Sequence, residues 1–327
     1  MRALALFSGG LDSMLAIKLI TLQGIYVTAL YMDNGFGATN EHFELLKDRA
    51  KRVGADFEVI DIQEKYLEDV LFNPKFGYGK CFNPCIDCHA YMFKTALSLL
   101  DKFEASFVIS GEVLGQRPMS QRREAMNSVL RLSGDEENLI LRPLCAKLLN
   151  PTKPEIAGWV DRDKLLDISG RGRSVQKELI SKFGITEYAS PAGGCLLTLE
   201  HFSNKIKDML NYDEKFEKVD IALLRYGRHL RLNDGAKMII GRDEKENLVL
   251  ENLCTDKFEH VDIGKQIGAF SLISKNASGK DRALGAKIAI TYAKSDVSRS
   301  YIIYIGGEGF EVSPFEDKAQ INEFLIK

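Results

Sequence analysis

The chain has 327 residues, 45% hydrophobic and 28% charged, with a formal net charge of −2. That length exceeds one small core and accommodates two or three domains, while the near-neutral balance excludes a globally basic nucleic-acid binder, so RNA contact would need a local basic surface. No apolar stretch reaches bilayer length, and the opening MRALALF runs straight into a glycine motif that cleavage of a leader would destroy, so a cytoplasmic protein without membrane contact is expected.

In chain order, the first half alternates strand and helix, the pattern of an α/β doubly wound parallel sheet. Strands are expected at 3–7, 26–31, 56–60, 106–109 and 139–141, and helices at 11–22, 41–53, 88–102 and 120–131. Between the first strand and helix lies Ser8-Gly9-Gly10-Leu11-Asp12-Ser13. Gly9 and Gly10 lack Cβ atoms, so backbone N–H groups can turn toward an anion, and the next helix aims its positive end at the same point. The lysine of a GxxxxGK[ST] loop is missing, so the grip would fall to amides and to the Ser8 and Ser13 hydroxyls. This suits the pyrophosphate end of ATP, with Asp12 organising Mg2+. A ligand-free Gly-Ser turn is the plainer alternative, and the position at the first strand-to-helix junction argues against it. Ligands of such sheets bind beyond the carboxyl ends of the strands, which brings Asp33 and Ser110-Gly111-Glu112 to the same crevice.

Residues 80–90 read KCFNPCIDCHA, placing Cys81, Cys85 and Cys88 before a helix. A two-residue spacer lets the Cys85 and Cys88 sulfurs converge. Cys195 follows Gly193 and Gly194, which would let the backbone bend its sulfur into a crevice. Three uses stay open: three thiolates holding an iron–sulfur cluster with one open iron; a pair of catalytic cysteines passing sulfur through a persulfide and then a disulfide; or a structural zinc on Cys81, Cys85 and Cys88 with His89 or Cys195. Uneven spacing of the six cysteines argues against a disulfide scaffold, and Cys145 and Cys254 are expected to pack in cores. From 151 to 183 the apolar pattern thins into a helical extension. From about 216 short apolar alternations at 237–240, 270–273 and 301–305, with a helix at 284–293, predict a β-rich α+β domain. The expected division is a nucleotide domain at 1–150, an extension carrying the GGC cysteine at 151–214 and the β-rich domain at 215–327.

The loop SGGLDS, the segment SGEVLGQRPMSQ at 110–121 and ILRPL at 140–144, in that order, resemble the adenylating domain of tRNA 4-thiouridine synthetases. NPCIDC at 83–88 and GGC at 193–195 resemble the two reactive-cysteine regions of tRNA 2-thiouridylases, except that His89 stands where those enzymes usually have Asn. Both belong to the PP-loop ATP pyrophosphatases. The resemblance implies an adenine nucleotide alpha hydrolase-like fold and use of ATP and Mg2+. It implies phosphate contacts from Ser8, Gly9, Gly10, Asp12 and Ser13, with Asp33 and Gly111 completing the nucleotide site. Asp12, Cys88 and Cys195 would be catalytic, and Cys85 would complete a [4Fe-4S] cluster if one is held. The implied substrate is tRNA and the implied partner a sulfur donor protein or sulfide.

Residues 224–247 and 259–273 resemble the RNA-binding domain of the NFACT proteins, which implies an RNA surface lined by Arg225, Arg228, His229, Arg231 and Lys237. Arg117, Arg122 and Arg123, after the fourth strand, are expected on RNA phosphates or on the α-phosphate. Two rival functions keep the nucleotide loop: adenylation of a small carboxylate or nucleobase precursor, and a non-catalytic ATP-sensing RNA-binding protein.

Overall fold

The computed structural model describes residues 1–38, 42–189, 194–213, 217–253 and 255–327, and the chain divides into two compact units, Met1–Thr198 and Leu199–Lys327. Gly193, Cys254 and the beginnings of the expected helix at 41 and of the texture change at 216 lie outside the described residues.

The first unit is built on a parallel sheet of β1 (Arg2–Leu6), β2 (Tyr26–Asp33), β3 (Ala55–Asp61), β4 (Phe107–Ser110) and β5 (Ile140–Leu141), in the order β3-β2-β1-β4-β5. Strands covered on both faces read as unbroken apolar runs, and Ala3, Leu4, Ala5, Phe107, Val108 and Ile109 are at most 1% exposed. The helices are α1 (Leu11–Thr21), α2 (Phe43–Arg52), α3 (Gln63–Tyr66), α4 (Cys85–Ser98), α5 (Arg123–Ser133), α6 (Lys153–Ile156) and α7 (Ser174–Lys182), with a π turn over Leu67–Leu71 after α3. The strand order reverses between β1 and β4, and the crevice beyond their carboxyl ends is where such sheets bind ligands.

Two helix starts in the first unit differ by three residues from the sequence expectation, and in the second the helix expected at 284 begins at Gly279. The fourth helix begins at Cys85 rather than 88, because Pro84 sits at the N-cap and leaves the cysteines in the first turn. The fifth begins at Arg123 rather than 120, so 115–122 is a loop.

The second unit holds α8 (Glu200–Tyr212), α9 (Lys218–Leu223), α10 (Glu244–Asn252) and α11 (Gly279–Thr291) around an antiparallel sheet. Its strands are β6 (Arg228–Arg231), β7 (Lys237–Ile240), β8 (Phe258–Asp262), β9 (Ser271–Ser274), β10 (Tyr301–Ile305) and β11 (Glu308–Val312), in the order β11-β10-β8-β9-β7-β6. Its core joins Met238, Ile240, Ile273, Ile303 and Ile305 to Ala286, Ala289 and Ile290 of α11. The described residues of 151–198 belong to the first unit. α8 belongs to the second, tied to its sheet by Arg231 on Asp208, so the expected extension to 214 is split at Thr198.

Candidate functional site

The glycine loop joins β1 to α1. Gly9 has φ +68°, the left-handed region that a side chain resists, and a Cβ there would collide with Leu46 Cδ2. Gly10 is the extended N-cap of α1, so the first-turn amides of the helix face the loop with the positive dipole end behind them. Ser13 Oγ donates to Gly10 O at 2.9 Å and lies 3.4 Å from Ser8 Oγ, which draws both hydroxyls into one cradle. Gly111, at the exit of β4, has no room for a side chain: a Cβ would stand 2.5 Å from Asp12 C and Ser13 N. It is therefore the residue that lets the two strand exits close on each other.

Asp12 is set by residues that sequence reasoning missed. Gln116 Nε2 donates to Asp12 Oδ2 at 2.6 Å, Gln176 Nε2 donates to Gln116 Oε1 at 3.0 Å, and Arg173 Nε is 3.6 Å from Asp12 Oδ2. Gln176 is fully buried and Gln116 6% exposed, so the relay is rigid. Asp12 Oδ1 is buried without a hydrogen-bond partner, an orphaned oxygen that suits a cation. Asp33, expected on the nucleotide, is engaged internally instead. Its Oδ1 accepts from Gly35 N at 3.0 Å and its Oδ2 from Gln63 Nε2 at 2.8 Å, so it shapes the loop after β2.

Cys85, Cys88 and Cys195 lie within electrostatic reach of Tyr66. Its ring is fully buried, and chiefly that burial pushes its ionisation upward. Burial pushes the Cys88 thiol up to about 12, and the neighbouring Cys195 and Cys85 add to this, so Cys88 is a neutral thiol at pH 7. Cys195 is carried in by Leu196 N, which donates to Phe36 O at 3.0 Å. Among the described residues no three His, Cys, Asp or Glu side chains are arranged to hold a metal ion. The cluster and zinc expectations for Cys81, Cys85, Cys88 and Cys195 therefore find no ligand geometry. Cys85 Sγ is 3.1 Å from Asn83 Nδ2, whereas Cys88 Sγ is held at 3.9 Å by Asn34 Nδ2. Cys145 packs in the core as expected, 0% exposed, with burial raising its thiol to about 11.

A buried charge network lies behind the cysteine helix. Glu112 Oε2 accepts from Arg142 Nε at 2.7 Å and Glu112 Oε1 pairs with His89 Nδ1 at 2.7 Å. Burial works to raise the Glu112 carboxyl, but the Arg142 charge and then His89 overcome it and hold the group down at about 2. Arg142 is 4% exposed and its guanidinium stands 5.5 Å over the Phe93 ring. The ILRPL arginine is thus a packing charge for Glu112, a role its apolar neighbours in sequence conceal. His89 is its third member.

The expected RNA-binding arginines separate into two groups. Arg117 and Arg122 are exposed, and Arg123 is exposed but donates to Leu148 O at 3.1 Å. In the second unit Arg231 is consumed: Nε and Nη2 donate to the Asp208 oxygens at 3.0 and 2.6 Å and its guanidinium lies 3.8 Å over Tyr212. Arg228 lies 5.2 Å over Tyr292 and donates to Gly241 O at 3.4 Å, Lys237 is buried 3.5 Å from Asp208, and His229 is 1% exposed. Arg231, Lys237 and His229 are therefore engaged internally, a correction whose reason is that Asp208 of α8 takes Arg231 and Lys237 while buried His229 bonds Tyr226 O at 2.8 Å; Arg225, Arg228 and Arg231 keep partial exposure.

Residues 2–80 match the model of the argininosuccinate synthase N-terminal HUP domain, and 227–324 match the NFACT protein RNA-binding domain, so both resemblances read from the sequence are borne out. An uncharacterized protein of Methanocaldococcus jannaschii is 29% identical over 147 residues, covering 43% of this chain and 54% of its own length. The tRNA-specific 2-thiouridylase of Lactobacillus johnsonii is 25% identical over 170 residues, covering 46% of this chain and 44% of its own. The chain spans about half the length of the curated relatives it matches. A solved 4-thiouridine synthetase in complex with RNA and ATP aligns at 18% identity and a TM-score of 0.36, over 56% of this chain and 50% of that one. Among the described residues no helix is long and apolar enough to cross a membrane.

Proposed function

We propose that this chain is an ATP-dependent tRNA-thiolating enzyme that adenylates a uridine carbonyl oxygen and then replaces that oxygen with sulfur. The observation that carries the reading is that one segment, 111–116, joins the phosphate loop to the cysteine helix: Gly111 and Gln116 touch Asp12, and Glu112 between them holds His89, the residue after Cys88. Similarity to tRNA-specific 2-thiouridylases and the NFACT-type second unit support RNA as the substrate.

A uridine carbonyl oxygen is a poor leaving group, and attack on the α-phosphate of ATP turns it into AMP, with pyrophosphate expelled. The amides of Gly9, Gly10 and the first turn of α1, with Ser8 and Ser13, would stabilise charge on the departing phosphates. Mg2+ on the Asp12 carboxylate would neutralise part of the same charge, and the Gln116–Gln176 relay holds that carboxylate in place. Sulfur would arrive by transfer of the outer sulfur of a donor protein's persulfide to the Cys195 thiolate, the donor leaving as a thiol; sulfide could load Cys195 only by opening a Cys88–Cys195 disulfide, with Cys88 leaving as the thiolate. The outer sulfur of the Cys195 persulfide attacks the activated carbon, AMP leaves, and Cys88 attacks the inner sulfur, releasing the thiocarbonyl and leaving a Cys88–Cys195 disulfide that an external thiol reduces.

The test is mass spectrometry of thionucleosides in total tRNA from cells with and without this chain. Loss of one thionucleoside, restored by the native chain but not by Cys88→Ser, is the expected result. An unchanged profile would move the reading to adenylation of a small molecule.

A further inference from the structure

Between the Leu67–Leu71 turn and α4 the chain runs through Asn73-Pro74-Lys75-Phe76-Gly77-Tyr78-Gly79-Lys80, with Phe76 47% and Tyr78 40% exposed. The loop is braced from below. Asp87 Oδ1 accepts from Lys75 N at 2.7 Å and Oδ2 from Phe76 N at 3.0 Å, Tyr78 OH donates to Leu71 O at 2.7 Å, and the Tyr78 ring stacks on Phe82 at 4.2 Å. Asp87 is the sole carboxylate from 73 to 88 and is 7% exposed, so it is spent on backbone amides and leaves exposed Lys75 and Lys80 without a counter-charge in the loop.

A second loop meets the first. Asn83 Nδ2 is 3.4 Å from Met119 Sδ, and a Cβ on Gly79 would collide with the same sulfur. Residues 115–123 also contain no carboxylate and expose Arg117 and Arg122. Two touching loops thus present Lys75, Lys80, Arg117 and Arg122, with Arg123 turned to Leu148 O, and two exposed aromatic rings, with no free acid on either. That is the composition by which proteins hold single-stranded nucleic acid, with rings for bases and cations for phosphates.

We propose that these loops form a lip for unpaired RNA, in which Phe76 stacks on a base while Lys75, Lys80, Arg117 and Arg122 take the flanking phosphates. The proposal rests on the tRNA-thiolating reading and names where that substrate docks. α4 carries Asp87, which braces the lip, and also Cys85 and Cys88, so a strand held there is delivered to the sulfur chemistry.

The test is fluorescence anisotropy of the full-length chain with unfractionated tRNA and with a single-stranded oligouridylate, across a salt series. Phe76→Ala is expected to weaken both by roughly tenfold. Lys75→Ala with Lys80→Ala should flatten the plot of log affinity against log salt by about 1.4, at about 0.7 per phosphate contact on a single strand. ATP affinity, measured beside them, should stay at the parent value and shows that the variants are folded. If the parent binds tRNA and the variants bind it equally well with the same slope, the lip is overturned and the thiolation reading stands. If the variants keep RNA affinity but lose sulfur uptake from a persulfide-bearing donor protein, the lip is a protein surface and the proposal falls. If the parent binds neither RNA, both readings fall together.

Discussion

Glu112→Gln isolates a single electrostatic element of the first unit. The substitution keeps shape and removes the charge that faces Arg142 and His89 at 2.7 Å each, leaving a guanidinium with 3% of its side chain exposed to be balanced by the Phe93 ring alone. Stranding one partner of a buried ion pair costs about 3–5 kcal/mol, and at about 2–4 °C per kcal/mol for a unit of this size Tm should drop by roughly 6–20 °C. The pH dependence gives an independent figure. The carboxyl is held at about 2 against an ordinary 4.5, a difference worth roughly 3 kcal/mol. Because the folded value is depressed, this stability is fully present above pH 4.5 and is lost as pH falls toward 2, so parent and variant should converge in acid. The lone tryptophan, Trp159, packs on Phe107 with ring centroids 6.3 Å apart, so its fluorescence follows the first unit through urea denaturation. Replacing both charges, Glu112→Gln with Arg142→Met, should recover much of the loss. A single variant within 1 kcal/mol of the parent by the scale of exposed ion pairs, or a gap that does not narrow in acid, would refute the reasoning.

Asp12→Ala should abolish pyrophosphate release while the protein stays folded, and turnover at the parent rate would remove Asp12 from the nucleotide site. Gln176→Leu, which breaks the relay behind Asp12, should lower kcat for pyrophosphate release and leave folding nearly intact; parent-like kinetics would make the relay mere packing. Gly111→Ala should impair ATP binding, because its new methyl meets backbone rather than a movable side chain, as calorimetry would show. Cys195→Ser should stop sulfur transfer while ATP binding persists. Arg231→Ala should destabilise the second unit by about 2–5 kcal/mol, the cost of stranding a half-buried charge partner; a stable variant with weakened RNA affinity would return this arginine to an RNA surface.

The sheet of the first unit is legible because strands covered on both faces have no polar side to interrupt them: 3–7 and 106–109 are apolar wherever a neighbour will cover them. The glycine loop is legible as a strand-to-helix turn because two adjacent glycines follow an apolar run and precede a helical pattern. What escapes the sequence is pairing at a distance. Glu112 could be placed at the crevice and Arg142 in the ILRPL motif, but not paired with each other, and Gln116 and Gln176 become a relay only when the fold brings them to Asp12. The second unit shows the opposite failure. Arg231 and Lys237 have the composition of an RNA surface, but Asp208 on α8 claims both, and charge patterning carries no information about such a partner. The cysteine helix begins three residues early for a local reason: Pro84 suits an N-terminus, and its signal is hidden among the cysteines around it.

The segment from Gly111 to Met119 touches the start of α1, the Asp12 carboxylate, His89 and the Asn83 side chain in turn. A short piece of chain with that many fixed appointments cannot shift at one end and stay still at the other. Any ligand that moves it becomes linked to every other ligand that moves it, and linkage of this kind has no preferred direction. If nucleotide at Asp12 sharpens the grip of the Phe76 loop tenfold, then whatever that loop holds must sharpen the grip on nucleotide by the same factor. Titrating ATP with and without a saturating oligouridylate, and then the reverse, would measure one coupling constant twice.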